Sequence, residues 1–165
     1  MTLEENISQI KDKELHRVVF TAIIYNEKNQ YLLTKRSEKK PFFPGKWLIP
    51  GGGLEVDDYI DREPTKDGQW YSVSEHALRR EIREEVNLEI GDLKFLIDIA
   101  FIRNDGIPVL VLSYFAPYKS GEVKLNDEST EYAWVSVDDL GNYDLITGTD
   151  EEIKMVDKIL KSKNK

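Results

Sequence analysis

The chain has 165 residues and a formal net charge of -8, a length that suits one domain with its own core. The acidic balance argues against large nucleic acids and acidic membranes as partners, because phosphate contacts need a basic surface. The absence of cysteine excludes disulfides, a thiolate nucleophile and a cysteine zinc site. No apolar run approaches the roughly 20 residues that span a bilayer, and the polar N-terminal segment lacks the features of a signal peptide. A cytoplasmic location is therefore expected.

The first part of the chain predicts a short helix followed by a β-hairpin. Residues 3–14 carry apolar side chains at helical spacing and predict an amphipathic helix within an N-terminal extension, residues 1–15. Residues 17–25 are rich in β-branched and aromatic side chains, a pattern typical of a buried strand. The turn "NEKNQ" separates this strand from a second predicted strand at residues 31–36.

A glycine turn and a long polar segment come next. Residues 47–50, "WLIP", predict a short strand that runs into three glycines at residues 51–53. Glycine lets backbone groups approach a ligand closely. The polar segment at residues 54–71 contains a proline and an Asp-Gly pair, which are turn signals.

A helix is predicted after this segment. Two serines are candidate caps, since Ser72 followed by Glu75 fits a capping box, and Ser74 is placed for a hydrophobic staple. The helical pattern ends near Val86. Asn87 then occupies the left-handed position that commonly closes a helix.

The remainder of the chain predicts a hairpin, another strand and a C-terminal helix. Residues 93–103 and 108–118 have strand patterns on either side of the turn "NDGI". Residues 131–137 predict a further strand, and residues 150–161 carry apolar side chains at helical spacing. This mixture predicts the α/β class, with a mixed sheet covered by helices on its faces in a single domain, residues 1–165.

The predicted middle helix gathers three glutamates, Glu81, Glu84 and Glu85, beside its apolar stripe, and Arg80 borders them. Like charges at this spacing repel by roughly 0.2–0.5 kcal/mol per pair. Such a strip is often a solvated flank with the arginine as its counter-ion. The alternative is a divalent-cation site, because hard cations such as Mg²⁺ take carboxylate and phosphate oxygens as ligands.

Two neighbouring features favour the cation site. The glycine turn upstream allows backbone carbonyls or amides to contact a ligand. The loop at residues 35–46 carries five basic side chains that can bind phosphate oxygens, although a solvated turn is the commoner outcome for such a run.

The segments "PGGGLE" and "ALRREIREEVNL" resemble the Nudix box of the Nudix hydrolases. That pattern is G-x5-E-x7-R-E-U-x-E-E-x-G-U, where U is a bulky aliphatic residue. The second half matches at Arg80, Glu81, Ile82, Glu84, Glu85 and Leu88. The segments "WLIPGGGLE" and "EYAWVSVDDL" are similar to those that commonly precede and follow the box. The resemblance spans most of residues 17–160 and implies a Nudix-type α/β/α sandwich.

Two features depart from the family pattern. Asn87 stands where the family has its second glycine. Between the glycine turn and the box arginine the chain is longer than the box by about 14 residues, which indicates a functional or mobile inserted loop at residues 58–71. The first box glutamate then has no clear counterpart. Asp58 fits when the count starts from Gly52, and Ser72 fits when it runs back from the arginine.

The resemblance implies metal-dependent hydrolysis of a nucleoside diphosphate linked to another group X. Mg²⁺ or Mn²⁺ would bridge the box glutamates and the diphosphate, and a water would attack one phosphorus in line. Glu81, Glu84 and Glu85 would bind metal or activate the water. Arg80 would orient the glutamates, and the backbone carbonyl of Gly52 would ligate the metal.

Residues outside the box are expected to complete the site. A further acid often does so in the family, with Glu131 as the first candidate here and Glu128 as the second. Four residues are candidate substrate contacts: Arg36, Lys46, Trp47 and Trp70. Because Trp70 lies in the inserted segment, that segment is expected to cap the substrate.

Two other functions are compatible with these residues. A catalytically weak Nudix-fold nucleotide-binding or sensor module would explain the disrupted first half of the box. A prenyl-diphosphate isomerase on the same fold is disfavoured, because its common form uses a cysteine. The expected partner is a small nucleoside diphosphate derivative. Homodimers are common in the family, but no residue of this sequence specifies one.

Overall fold

The computed structural model describes residues 2–163, which form three α-helices and an eight-stranded mixed sheet. Residue 1 and residues 164–165, which the predicted domain includes, lie outside the described part. No helix within residues 2–163 is both long and apolar enough to cross a bilayer.

The sheet is built around strand β1 (Arg17–Tyr25), whose β-branched and aromatic residues suit a buried position. Strand β1 pairs in antiparallel fashion with β2 (Tyr31–Arg36) and β4 (Gly51–Gly53). It pairs in parallel with β7 (Pro108–Ser120), so the sheet is mixed as predicted. The other strands pair with β2 or β7: β3 (Trp47–Leu48) and β8 (Ser129–Val135) with β2, and β5 (Glu89–Ile90) and β6 (Lys94–Ile102) with β7.

Helices cover both faces of the sheet and give two cores. Helix α2 (Val73–Val86) packs on one face, where β1 contributes Phe20, Ala22 and Ile24. Helix α3 (Thr149–Lys163) packs on the other face over residues that include Ile23. Because neighbouring strand residues point to opposite faces, one strand supplies both cores. The predicted α/β/α arrangement is confirmed.

The N-terminal helix is shorter than predicted. Helix α1 spans Leu3–Ser8 and begins with a capping box between Thr2 and Glu5. Beyond it, the carboxylate of Asp12 accepts backbone N–H bonds in a turn, which replaces the helical pattern. The apolar side chains of Leu3 and Ile7 remain exposed, so little burial is available to extend so short a helix.

The sequence predicted the C-terminal end of α2 correctly but not the cap at its N-terminal end. The capping box at Ser72 is wrong, because Ser72 has left-handed backbone angles and its side chain makes no capping hydrogen bond. A helix cap of that kind needs an extended backbone at this residue. At the other end, Asn87 closes the helix with φ of 59°. The left-handed conformation predicted for Asn87 is confirmed.

Candidate active site

The three glutamates of α2 have different environments. The side chain of Glu84 is 56% exposed, that of Glu81 is 16% exposed, and Glu85 is buried. Leu78 and Ile82 of the same helix face the core. The carboxylates therefore form a strip that runs from solvent into the edge of the core.

The guanidinium of Arg80 is shared among three carboxylates. Its Nε lies 2.5 Å from Oδ1 of Asp58, its Nη2 lies 3.0 Å from Glu81 Oε1, and its Nη1 lies 3.0 Å from Glu84 Oε2. The hydrogen bond to Asp58 and the nearby glutamates raise the pKa of Arg80 above its usual value, which is already high. A fixed positive charge thus offsets the repulsion within the strip.

Asp58 is the acidic residue that the structure places beside the box arginine. It ends a 3-10 helix (Val56–Asp58) at the first position of the inserted segment, and its side chain is 1% exposed. The backbone N–H of Glu55 donates to its Oδ2 at 2.8 Å. Burial alone would raise the pKa of Asp58, but the bonds from Arg80 and Glu55 hold it below its usual value. Ser72, the other counterpart considered, lies at the start of α2.

Glu85 accepts hydrogen bonds from three separate elements. The N–H of Gly51 donates to its Oε2 at 3.1 Å, and the hydroxyls of Thr34 on β2 and Ser129 on β8 each donate to its Oε1 at 3.2 Å. Burial raises the pKa of Glu85 to about 7, against the opposing effect of these hydrogen bonds. Glu85 is therefore a fixed carboxyl group that can change its protonation near neutral pH.

The glycine turn lies directly against Glu81. A Cβ atom at Gly52 would overlap the carboxylate of Glu81, so only glycine leaves room for this contact. Residues 51–53 are held there by pairing with β1. Burial is the main reason that the pKa of Glu81 is raised. The backbone of the turn and a partly buried carboxylate are thus held side by side.

Within residues 2–163, no three acidic or histidine side chains are grouped as a ready-made metal centre. Arg80 instead carries the positive charge among the carboxylates. The donor set around the strip nevertheless consists of oxygens: the carboxylates of Glu81, Glu84 and Glu85 and the adjoining backbone of Gly52. This chemistry fits a hard divalent cation such as Mg²⁺.

The two candidate acids outside the helix occupy different places. Glu131 on β8 pairs with Lys35 at 2.7 Å. Lys35 follows Thr34, which faces Glu85, so strand alternation points Lys35 and Glu131 away from α2. Glu128 lies near α2 instead, since its charge adds to the raised pKa values of both Glu81 and Glu85, for which burial is the main cause.

The four candidate substrate contacts are not brought together. Arg36 donates its Nε–H to the carbonyl of Phe42 at 2.6 Å, and Lys46 pairs with Asp144 at 2.6 Å. Trp47 packs edge-to-face on Tyr143 in the core beneath α3. Trp47 pairs with Lys35, so it lies on the face of the sheet opposite the glutamates.

The inserted segment is ordered by its own contacts. The ring of Trp70 packs at a tilt against that of Tyr59, with 5.3 Å between the ring centres, and its Nε1–H donates to the carbonyl of Arg62 at 2.8 Å. Asp58 at the start of the segment binds Arg80, and Ser72 at its end leads into α2. The segment is therefore anchored at both ends next to the glutamate strip.

Sequence reasoning missed two side chains that fix Glu85 and one that fixes helix α2. Thr34 and Ser129 hold Glu85, and Arg79 donates to the carbonyls of Ile90 and Gly91 at 2.8 and 3.0 Å, which ties α2 to the chain that follows it. Thr34 gave a usable signal, because a polar residue among the apolar residues of a buried strand needs a partner.

Known proteins resemble this chain in sequence. A family model of the NUDIX domain matches residues 15–158. Nucleoside triphosphatase NudI of Escherichia coli (strain K12) is 34% identical over 149 residues, which cover 84% of this chain and 95% of that relative. The chain is thus similar to an enzyme over most of its own length and nearly all of that relative's.

Solved structures share the fold. The MutT protein from Methanosarcina mazei Go1 superposes with a TM-score of 0.69 at 26% identity, covering 92% of this chain and 99% of that one. The NUDIX domain of Shewanella oneidensis NrtR, solved in complex with ADP ribose, has a TM-score of 0.67 at 18% identity, covering 97% and 99%. The second likeness concerns the fold alone.

Proposed function

The chain belongs to the Nudix family of hydrolases, and we propose that it hydrolyses the pyrophosphate bond of a nucleoside diphosphate linked to another group X, with Mg²⁺ or Mn²⁺ as cofactor. One observation carries the proposal. A single guanidinium, that of Arg80, holds the carboxylates of Asp58, Glu81 and Glu84 beside the glycine turn, with Glu85 buried behind them.

The residues that would hold the cation are Glu81, Glu84 and Glu85, the backbone carbonyl of Gly52 and, from outside the helix, Glu128. When bound, the cation supplies neutralisation of the phosphate charge and a lower pKa for an attacking water. The contact between Gly52 and Glu81 supports this assignment, because it brings a carboxylate next to the backbone of the glycine turn. Glu131, the first candidate from the sequence, gives way to Glu128 because it points to the other face.

Arg80 acts as a positioning residue. Its fork of donors fixes the carboxylates of Glu81 and Glu84, and Asp58 in turn fixes the guanidinium. A carboxylate held in one orientation loses less entropy when a ligand binds. Substitution of either Asp58 or Arg80 should therefore weaken cation binding, although neither side chain contacts the substrate in this proposal.

The proton of the attacking water needs an acceptor within the strip. Glu85 suits that task because its carboxyl group is fixed in one position by three hydrogen bonds, and Glu84 is the solvent-facing alternative. Water oxygen attacks one phosphorus in line, the bridging P–O bond breaks, and the leaving phosphate carries away the bond's electron pair. The acceptor glutamate keeps the proton until it is passed to solvent.

The substrate class rests on the relatives. NudI is a nucleoside triphosphatase, and a nucleoside triphosphate is a nucleoside diphosphate whose X is phosphate. The NrtR domain binds ADP ribose, in which X is a sugar. Both ligands carry a nucleoside diphosphate, so that unit is the substrate feature we propose for this enzyme.

A substrate panel tests the proposal. The purified protein would be incubated with Mg²⁺ or Mn²⁺ and with ribo- and deoxynucleoside triphosphates, ADP ribose, nucleotide sugars and dinucleotides. Turnover of at least one compound is expected, with a loss of about 100-fold or more in Glu85→Gln. Glu75→Gln is the control, because it changes an exposed carboxylate on the same helix. Equal turnover by Glu85→Gln and the wild type would refute the assignment of Glu85.

A further inference from the structure

Five basic side chains lie at residues 35–46, at the end of β2 and in the loop that follows it, all within the described part of the chain. Lys35 and Lys46 form ion pairs with Glu131 and Asp144, and Arg36 donates to a backbone carbonyl. Lys39 is exposed. Lys40 differs from the other four, because its ammonium lies 2.7 Å from the carboxylate of Glu128, which borders the glutamate strip.

The backbone of Glu128 is fixed next to α2. Its carbonyl accepts the N–H of Ser37 at 2.8 Å, and its N–H donates to Oδ1 of Asn126 at 3.0 Å. Asn126 in turn donates its own N–H to the carbonyl of Glu85 at 3.3 Å. The next residue, Ser129, donates its hydroxyl to Glu85. The backbone of Glu128 is therefore fixed beside the strip, and its side chain can rotate between different partners.

The ion pair of Lys40 and Glu128 is suited to exchange. The two side chains are 28% and 43% exposed, and pairs with this access to water are weak. In the structure, Lys40 pairs with a carboxylate whose charge acts on both Glu81 and Glu85, so Glu128 lies close to the strip. A divalent cation on the strip would compete for the same carboxylate.

We propose that Lys40 is a substrate-binding residue held in reserve by Glu128. Glu128 exchanges the ammonium for the divalent cation, and the released Lys40 donates to a phosphate oxygen of the substrate. A lysine ammonium has three donors at the end of a flexible side chain. It can therefore follow a polyphosphate chain whose position is fixed by other contacts. This inference rests on the proposed function, since both the cation and the polyphosphate belong to it.

The exchange makes an unusual prediction for Lys40→Ala. Without the ammonium, Glu128 is free for the metal, so the affinity for Mn²⁺ alone should increase by about threefold. The affinity for a nucleotide should fall by about tenfold, as expected for the loss of one charge-assisted hydrogen bond. A purely structural role of Lys40 would instead weaken both affinities, and a surface pair without function would change neither.

Two calorimetric titrations test the inference. The first titrates Mn²⁺ into the nucleotide-free protein, and the second titrates an α,β-methylene nucleoside triphosphate into the protein with saturating Mn²⁺. Lys39→Ala is the matched control, because it removes the same charge from the neighbouring position, and it should stay within about twofold of wild type. Lys40→Arg keeps the charge and should restore most of the nucleotide affinity.

The double variant Lys40→Ala with Glu128→Gln completes the test. It should bind Mn²⁺ no more tightly than Glu128→Gln alone, because the gain in Lys40→Ala depends on the carboxylate. Opposite shifts for Mn²⁺ and nucleotide would support the inference. If the wild type binds Mn²⁺ and turns over a panel substrate, identical behaviour of Lys40→Ala and Lys39→Ala would overturn this inference and leave the proposed function standing. A wild type that binds neither Mn²⁺ nor nucleotide would overturn the proposed function as well.

Discussion

The carboxylate of Asp58 and the guanidinium of Arg80 lie 2.5 Å apart although 22 positions separate them in the chain. The rest of the inserted segment, residues 59–71, lies between them in the chain and leaves their contact intact. An acid therefore stands beside the box arginine, and it is the residue that fits the first box glutamate when the count starts from Gly52. The disrupted first half of the box was the reason to consider a catalytically weak module, and this pair removes much of that reason.

Asp58→Asn should destabilise the protein by about 2 kcal/mol at pH 7, because Arg80 keeps its charge but loses a partner that is almost fully buried. The pKa of Asp58 is lowered in the folded state, so its contribution exists above the unfolded pKa and is lost as the pH falls below about 4. Urea unfolding of the wild type and the variant at pH 7 and below pH 4 measures this difference in stability. Asp57→Asn, an exposed neighbour, is the control. An equal effect of the two substitutions would contradict the role of the pair.

Glu85→Gln should change the pH dependence of stability in metal-free buffer. Burial raises the pKa of Glu85 to about 7, above its unfolded value near 4.3, so the folded state binds the extra proton between these two values. Wild-type stability therefore falls as the pH rises through this window and levels off above pH 7.

The variant lacks that loss, so it should exceed the wild type at pH 8 by at most about 4 kcal/mol and match it more closely at pH 5. Thermal unfolding from pH 5 to 8 provides the measurement. A wild type and a Glu85→Gln variant with parallel pH profiles would contradict the raised pKa of Glu85.

Asn87→Ala should lower stability by about 1 kcal/mol, because alanine resists the left-handed backbone that Asn87 adopts at φ of 59°. Asn87→Gly should stay close to wild type. Glycine adopts this conformation freely but loses the 3.0 Å bond from the Asn87 side chain to the carbonyl of Glu122. Melting temperatures of the two variants make the comparison. Similar melting temperatures for alanine and glycine would show that the helix end is not under this constraint.

Trp70→Ala should loosen the inserted segment, because it removes both the ring contact with Tyr59 and the bond to the carbonyl of Arg62. If the segment caps the substrate, KM should rise by about fivefold or more while kcat changes little. Limited trypsin digestion at Arg62 and Lys66 reports the loosening independently.

Tyr71→Ala, which removes an exposed ring from the adjacent position, is the control for this loop variant. Deletion of residues 60–70 should have the same effect on KM or alter substrate preference. Faster digestion of Trp70→Ala with an unchanged KM would show that the segment lies away from the substrate.

Local pattern predicted most of the fold. The apolar spacing of α2 and α3 and the β-branched run of β1 gave their type and their approximate bounds. The strip of Glu81, Glu84 and Glu85 followed from the same periodicity, since these positions share one sector of the helix. These features depend on neighbours within one element, which a sequence displays directly.

The partners of the strip depend on how distant strands are aligned. Glu128 and Glu131 are three positions apart, and the register shift between Lys35 and Arg36 helps to decide which acid faces α2. The hydrogen bonds to the buried carboxylate of Glu85 likewise come from hydroxyls on two other strands, β2 and β8. A register shift of one residue moves a side chain to the other face, and the sequence alone does not specify such a shift.

Hydrolysis measured with and without divalent metal tests the central claim most directly, namely that the carboxylates of α2 form the catalytic centre of a pyrophosphohydrolase. Wild type, Glu81→Gln and Glu75→Gln would be compared on the preferred panel substrate, in Mg²⁺ and in EDTA. We predict turnover by wild type and Glu75→Gln in Mg²⁺, none in EDTA, and a rate at least about 100-fold lower for Glu81→Gln. Metal-independent turnover, or full activity of Glu81→Gln, would contradict the account.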